Sequence, residues 1–260
     1  MLLYGVSAAY SIFLLRRDIR RHNSLNYFLL LAAFGFHTTA MFMRGFSLDR
    51  CPINNLYEAT LFVAWTMTAA YLVIGLWPRL RFLGAFAAPV LFAIGVFAML
   101  TPKDVGVPGH PVFTGGWLTL HVAMFALAYG AFGLSSVAAL MYLTQERDLK
   151  QHKTRALLAF MPPMQRLEVV MRALLLAGFV LFTGALALSP MFMQQRNMSF
   201  TADFKIFWAL FVWVLYLALL VMRWKFWRGG RRFAWGSIAA FVFVLLTFWG
   251  SSLMSPLHRP

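Results

Sequence analysis

Cysteine is almost missing from the 260-residue sequence, which contains only Cys51. One thiol cannot form a disulfide within the chain, and it cannot supply the cysteine cluster of a structural zinc site. Cys51 precedes Pro52, and the sequence shows no neighbouring group that would activate it. We therefore expect an ordinary lone thiol without a special role, with intermolecular pairing or cofactor handling as the alternative.

Charged residues are also few, and acidic ones are the scarcest. Eight Asp and Glu stand against 23 Lys and Arg, and charged residues make up 12% of the chain against 61% for hydrophobic residues. The mean hydropathy is +0.72. Because the apolar share of a soluble domain is closer to about half, this composition predicts an integral membrane protein.

Short catalytic motifs are absent as well. The sequence contains no G-x-x-x-x-G-K, no H-E-x-x-H, no G-x-S-x-G and no dinucleotide-binding fingerprint. These absences argue against a phosphate-handling, proteolytic or nucleotide-dependent enzyme.

What the sequence has instead is long apolar runs. A bilayer core of about 30 Å needs roughly 20 apolar residues per helix. Eight runs meet or approach this length: Met1–Leu15, Leu25–Met43, Tyr57–Trp77, Phe82–Leu100, Trp117–Gln145, Ala173–Met193, Lys205–Met222 and Phe233–Met254. They predict an all-α, polytopic transmembrane helical bundle of about eight helices, with one domain over residues 1–260. No basic n-region precedes the first run and no small-residue cleavage site follows it, so we expect a retained helix.

Basic residues predict the orientation of these helices, because basic loops stay on the cytoplasmic side. Alternate connections hold 17 of the 23 basic residues: Arg16, Arg17, Arg20, Arg21, Arg79, Arg81, Arg147, Lys150, Lys153, Arg155, Arg166, Arg172, Arg223, Lys225, Arg228, Arg231 and Arg232. Both termini should then lie outside. The net charge of +15 is explained by this topology and by anionic lipid, so nucleic acid is not implied as a partner.

Three connections are long enough to interpret. The outer segments at 44–58 and 101–116 are rich in turn-forming residues and predict no regular element. The inner segment Glu146–Arg172 alternates charged and apolar residues and is split by Pro162 and Pro163. This pattern predicts an amphipathic interfacial helix on each side of the prolines.

The six histidines separate by predicted depth. His22 and His152 lie in basic inner segments and should be solvated, and His110 lies in an outer loop. His37 falls about twelve residues into the second run, hence ~18 Å from its inner edge. His121 lies near the outer mouth of the fifth run, and His258 lies just beyond the eighth. An intramembrane histidine either bonds a neighbouring helix or serves a function.

Two outer-face histidines, His121 and His258, are candidate metal ligands. Zinc needs three or four ligands, and the outer acidic residues show no recognisable ligand spacing. Haem iron needs only two axial ligands, together with an apolar cleft and cations for the propionates. Suitable residues at this depth include Trp117, Trp208, Trp249, Arg44, Arg50 and Arg196. Aromatic residues are nevertheless common at any bilayer interface.

An ordered series of segments resembles the cytochrome c assembly family, which includes CcsA-, HemX- and YpjD-type membrane proteins. The segments are Asn55-Leu56-Tyr57-Glu58-Ala59 (family N-L-Y-E-S), Trp117–Val122 with Tyr129 (W-x-x-x-H-V), Met164–Glu168, Asp203–Trp213 (D-P-K-E-T-W-A-L-I-T-W), Arg228–Arg232 (R-G-x-R) and Pro256-Leu257-His258 (G-L-H-S). Each motif alone is weak, whereas the series covers nearly the whole chain in order.

The resemblance implies that His121 and His258 are the paired outer axial ligands of a non-covalent b-type haem, and that the bacterial inner membrane is the location. His37 matches a histidine common in the second helix of smaller members. The chain departs from the haem-attaching members, because residues 191–202 lack their tryptophan-rich platform and Ile206–Met222 lacks their histidine. This departure indicates an accessory, transport or regulatory role and no synthetase activity.

We therefore expect a haem-handling membrane protein of cytochrome c biogenesis, which would bind or transport haem. Trp117, Trp208 and Trp249 would line the cleft, and Arg50 or Arg196 would pair with propionates. The alternative is a membrane regulator of haem synthesis or an ion-transport accessory protein that binds no haem. A third hypothesis is a structural protein whose outer loops dock another assembly subunit.

Overall fold

A computed structural model describes residues 1–17, 23–48, 56–100, 116–151, 162–195, 204–225 and 230–253. Regular structure within these ranges is helical throughout. It comprises α1 (Leu2–Arg17), α2 (Asn23–Leu48), α3 (Leu56–Ile74), a short 3₁₀ helix (Pro78–Leu83), α4 (Gly84–Leu100), α5 (Gly116–Lys150), α6 (Met164–Gln195), α7 (Phe204–Lys225) and α8 (Gly230–Leu253).

The helices have the length and apolarity that a bilayer requires. Six apolar stretches of 18 residues or more lie in α2, in the 3₁₀ helix together with α4, and in α5, α6, α7 and α8, while Leu2–Leu14 and Thr60–Ile74 are shorter apolar helices. This confirms the predicted all-α, multi-span membrane bundle with about eight helices. The orientation of the termini and the single domain remain predictions.

Three pairs of consecutive helices run antiparallel, because the first turns of one helix contact the last turns of the other. α2 and α3, α5 and α6, and α7 and α8 meet through the pairs Arg44–Glu58, His121–Ala185 and Trp208–Thr247. Because α3, α4 and α5 cross the bilayer one after another, α3 and α5 run in the same direction, and they pack together at Gly130 of α5, which lies against the backbone of Thr66 of α3. One end of the bundle therefore holds the starts of α3, α5 and α7 and the ends of α2, α6 and α8. We call it the His121 end.

α5 is the central helix. Within its apolar stretch 72% of the residues are buried, against 17% in α7. It packs against α3, α6 and α8. Near its middle, Ser135 Oγ donates to the Met171 carbonyl (2.9 Å) and lies 3.1 Å from Ser237 Oγ, while Ser136 Oγ donates to the Ser237 carbonyl at 3.0 Å. Small side chains and interhelical hydrogen bonds of this kind hold membrane helices together.

Several predicted boundaries were wrong, among them the end of α2 and the start of α6. α2 continues past Met43 to Leu48, so the start of the outer 44–58 segment is helical. On the other side, α6 begins at Met164, directly after Pro163, whose carbonyl accepts from the backbone N–H groups of Arg166 and Leu167. The stretch after the prolines is therefore the first turns of a spanning helix and no separate interfacial helix. Residues 152–161, before the prolines, lie outside the described part.

Candidate functional site

His121 is the predicted site residue that the structure defines best. It is partly buried near the start of α5, and its Nδ1 lies 2.8 Å from the Ala185 carbonyl oxygen of α6. A carbonyl only accepts hydrogen bonds, so Nδ1 carries the proton and donates it. In the neutral ring Nε2 is then the nitrogen with the lone pair. Metal-binding histidines use the same arrangement: one ring nitrogen binds the metal, and the N–H of the other donates to a carbonyl or carboxylate that fixes the tautomer.

Aromatic rings continue from His121 into the bundle. The Phe125 ring lies edge-on to the imidazole at 4.8 Å and to Phe182 at the same centroid distance. Phe182 also contacts Tyr129 and Phe132, and Phe132 stacks on Tyr216 of α7 at 3.6 Å. These contacts join α5, α6 and α7. They also give the His121 imidazole an aromatic, apolar neighbour on the side that faces the middle of the bundle.

Trp208 lies at the same end of the bundle, in the first turns of α7. It is 8% exposed, and its indole Nε1–H donates to Thr247 Oγ1 of α8 at 3.1 Å. This hydrogen bond fixes the edge of the indole against α8 and so sets the orientation of the ring. The Trp208 ring therefore lies next to the last turns of α8, the helix that precedes His258 in the sequence.

Several predicted site residues cannot be placed. His258, Arg50 and Arg196 lie outside the described residues, and the side chains of Trp117 and Trp249 also lie outside the described part of the structure. The predicted pairing of His121 with His258, and the propionate partners, therefore stay predictions. Arg44, a further candidate cation, forms an ion pair instead: its Nη2 and Nε lie 2.7 and 2.8 Å from Glu58 Oε1.

His37 belongs to a different set of helices. It is 9% exposed in α2, its Nδ1 lies 3.2 Å from the Tyr4 hydroxyl of α1, and that hydroxyl lies 3.1 Å from Thr68 Oγ1 of α3. The structure thus joins His37 to α1 and α3, and His121 to α6. These two histidines form separate candidate sites.

Sequence reasoning missed the partners of these side chains. Ala185, Tyr4, Thr68 and Thr247 are ordinary residues of apolar helices, and no spacing within the sequence links them to His121, His37 or Trp208. Only the side-by-side packing of distant helices does so. Within the described ranges, no group of three or more His, Cys, Asp or Glu is arranged to hold a metal ion.

Fold and site together define a multi-span helical membrane protein with a tautomer-fixed histidine at one end of the bundle. The sequence model of the cytochrome c assembly protein family matches residues 53–258, more than three quarters of the chain. The chain belongs to this family, as its ordered motifs predicted.

Several relatives carry the name cytochrome c biogenesis protein CcsA. The one from Synechococcus sp. (strain JA-2-3B'a(2-13)) is 38% identical over 117 residues, 43% of this chain and 33% of the relative. Those from Gloeothece citriformis (strain PCC 7424) and Trieres chinensis are 35% and 34% identical over 106 residues, covering 39% and 38% of this chain and 32% and 34% of the relatives. The aligned part is about a third of the relatives' length.

Proposed function

We propose that this chain is a haem-handling membrane protein of cytochrome c biogenesis, located in the bacterial inner membrane. Membership of the cytochrome c assembly family and the CcsA relatives support the biogenesis role. Haem as the ligand rests on the chemistry of one site. The protein would bind or transport the cofactor together with other assembly subunits.

The hydrogen bond from His121 Nδ1 to the Ala185 carbonyl is the observation that carries the proposal. It presents Nε2 as an electron-pair donor, and it fixes the ring plane between α5 and α6. Neutral imidazole with its second nitrogen engaged is the usual axial ligand of haem iron. The donor type, its tautomer and the aromatic wall around Phe125 all fit haem.

The remaining groups would complete the site. Trp208, oriented by Thr247, would contribute an apolar ring, and His258 would supply a second nitrogen ligand. Haem would supply the redox-active iron, whose chemistry the protein only tunes. The chain's own residues would hold the macrocycle, exclude lipid and water from it, and keep His121 in the ligating tautomer. We assign no covalent attachment to this chain, since residues 191–202 contain no tryptophan.

Absorption spectroscopy of the purified chain tests the haem site. Wild-type protein prepared with haem available should show a Soret band, and His121→Ala should bind haem at least about tenfold more weakly, the loss that even outer-shell changes cause at metal sites. Added imidazole should restore part of the spectrum, which a purely structural defect would not allow.

His152→Ala is the matched control, because that histidine is predicted to be solvated on the opposite side. It should bind haem like the wild type. A wild-type preparation that never takes up haem, or a His121→Ala spectrum identical to that of the wild type, would overturn the proposal.

A further inference from the structure

A small cavity lies between α2 and α3 near the His121 end. It is lined by His37, Ala40, Met41, Arg44, Tyr57, Glu58 and Leu61 and holds about 50 Å³. One water molecule needs roughly 10–15 Å³ of such space. The cavity therefore accepts a few waters or a single ion, and it is far too small for an organic cofactor.

A chain of hydrogen bonds fixes the tautomer of His37. Thr68 donates its only hydroxyl proton to the Ala64 carbonyl at 2.7 Å. The contact between Tyr4 and Thr68, at 3.1 Å, must then use the Tyr4 proton. Tyr4 has no second proton, so in its 3.2 Å contact with His37 the Nδ1–H of the imidazole is the donor.

Nε2 of His37 is therefore unprotonated and carries a lone pair. The atom is buried and has no hydrogen-bond partner among the described residues. A buried polar atom without a partner is costly, and this one belongs to a side chain that lines the cavity. The occupant that satisfies it must offer either a proton or an empty orbital.

The charges around the cavity limit that occupant further. Glu58 has a side chain that is 0% exposed, and Arg44 neutralises it through two nitrogens on the same oxygen. An anion would gain no net attraction there. A hard divalent ion would find a single carboxylate, Glu58, that is already paired with Arg44, and among the described residues no third His, Cys, Asp or Glu joins Glu58 and His37 in a metal-binding group.

A soft ligand stands beside the imidazole. Met41 follows His37 by four positions on α2, so both side chains project from one face of the helix, and both line the cavity. Thioether sulfur is a soft ligand that favours copper(I) over the hard divalent ions, and imidazole is a common copper ligand as well. The Nδ1–H bond to Tyr4 corresponds to the outer hydrogen bond found behind metal-bound histidines.

We propose that His37 Nε2 and Met41 Sδ form a binding site for a single copper(I) ion, with Tyr4 and Thr68 as positioning residues behind the imidazole. Because Nε2 already lacks a proton, coordination releases none. The site is independent of His121 and of the proposed haem function, so either can fail without the other.

Competition for copper(I) with bicinchoninate, under anaerobic reducing conditions, tests this site in the purified full chain without haem. The wild type should take up one ion that His37→Phe and Met41→Leu lose, each by at least about tenfold in affinity. Tyr4→Phe should weaken binding by a smaller factor, because it removes the bond that holds the tautomer. X-ray absorption should show one nitrogen and one sulfur neighbour.

Met43→Leu is the matched control, since Met43 lies on the same helix but is 68% exposed. Copper bound at other sites would be unchanged in all variants. Equal uptake by the wild type, His37→Phe and Met41→Leu would overturn the proposal, as would a wild type that takes up none. Met41→Leu conserves side-chain volume, so it remains informative if His37→Phe fails to fold.

Discussion

At the scale of single residues, both described intramembrane histidines are held by the same device. His121 donates from Nδ1 to a carbonyl of α6, and His37 donates from Nδ1 to a tyrosine of α1. Burying an imidazole requires a partner for its N–H. Providing that partner on a neighbouring helix sets the ring orientation and leaves Nε2 as the base.

Glu58 gives a residue-scale prediction. Its side chain is fully buried, whereas that of Arg44 is 28% exposed. Removing one partner of a fully buried ion pair costs about 3–5 kcal/mol, and the partial exposure of Arg44 reduces this to roughly 1–3 kcal/mol. Glu58→Gln should therefore lower the thermal unfolding midpoint in detergent by several degrees, measured by circular dichroism.

The double variant Arg44→Met, Glu58→Gln is the control. It removes the uncompensated guanidinium and should recover much of the lost stability. If Glu58→Gln were as stable as the wild type, or the double variant no better than the single one, the ion pair would not stabilise the α2–α3 contact.

The sequence identified the histidines of interest but not their surroundings. A histidine in an apolar run is visible as such, so His37 and His121 could be selected directly. Their partners lie 33 and 64 positions away along the chain, and only helix packing decides which carbonyl or hydroxyl they meet. The same reason explains why Arg44, a plausible propionate partner by depth, proved to be paired with Glu58.

At the scale of helices, the crossing of α3 and α5 depends on Gly130. A Cβ at this position would lie 2.5 Å from the Thr66 carbonyl oxygen and 2.8 Å from its carbon. Both atoms belong to the α3 backbone and cannot rotate away. The absence of a side chain therefore sets how closely these two helices approach.

Gly130→Ala should destabilise the protein by about 1–3 kcal/mol, the usual cost of overpacking, because the helices must separate. Gly35→Ala is its matched control, since a Cβ there has no neighbour within 4 Å; it should leave stability unchanged or raise it. Thermal unfolding of both variants measures the difference. Similar midpoints for the two would show that α3 and α5 yield without cost.

Helix positions were predictable from apolar length, and helix ends were less so. The eight runs correspond to the eight described α-helices because the bilayer requires every backbone group to be bonded within the segment. The ends of α2 and α6 differ from the prediction because polar residues such as Arg44 and Arg166 can extend a helix beyond the apolar core. Hydropathy does not mark that extension.

At the scale of the whole molecule, the orientation predicted from basic residues can be tested with the single native thiol. Cys51 is predicted outside, so a membrane-impermeant maleimide should label it in intact spheroplasts. Gln151→Cys in a Cys51→Ser background should react only after permeabilisation, since residue 151 follows the opposite end of α5. Protein gel shift measures both reactions. The reverse pattern would place the termini in the cytoplasm.

The serine contacts of α5 impose an order on how the chain is built. Ser135 leaves the ribosome 102 positions ahead of Ser237, its partner on α8. During that interval α6 can provide the Met171 carbonyl, but one face of α5 has only lipid or the insertion machinery beside it. A nascent chain that stops before Gly230 therefore lacks the helix that covers this face of α5, and the bundle can close around its central helix only after α8 has been made.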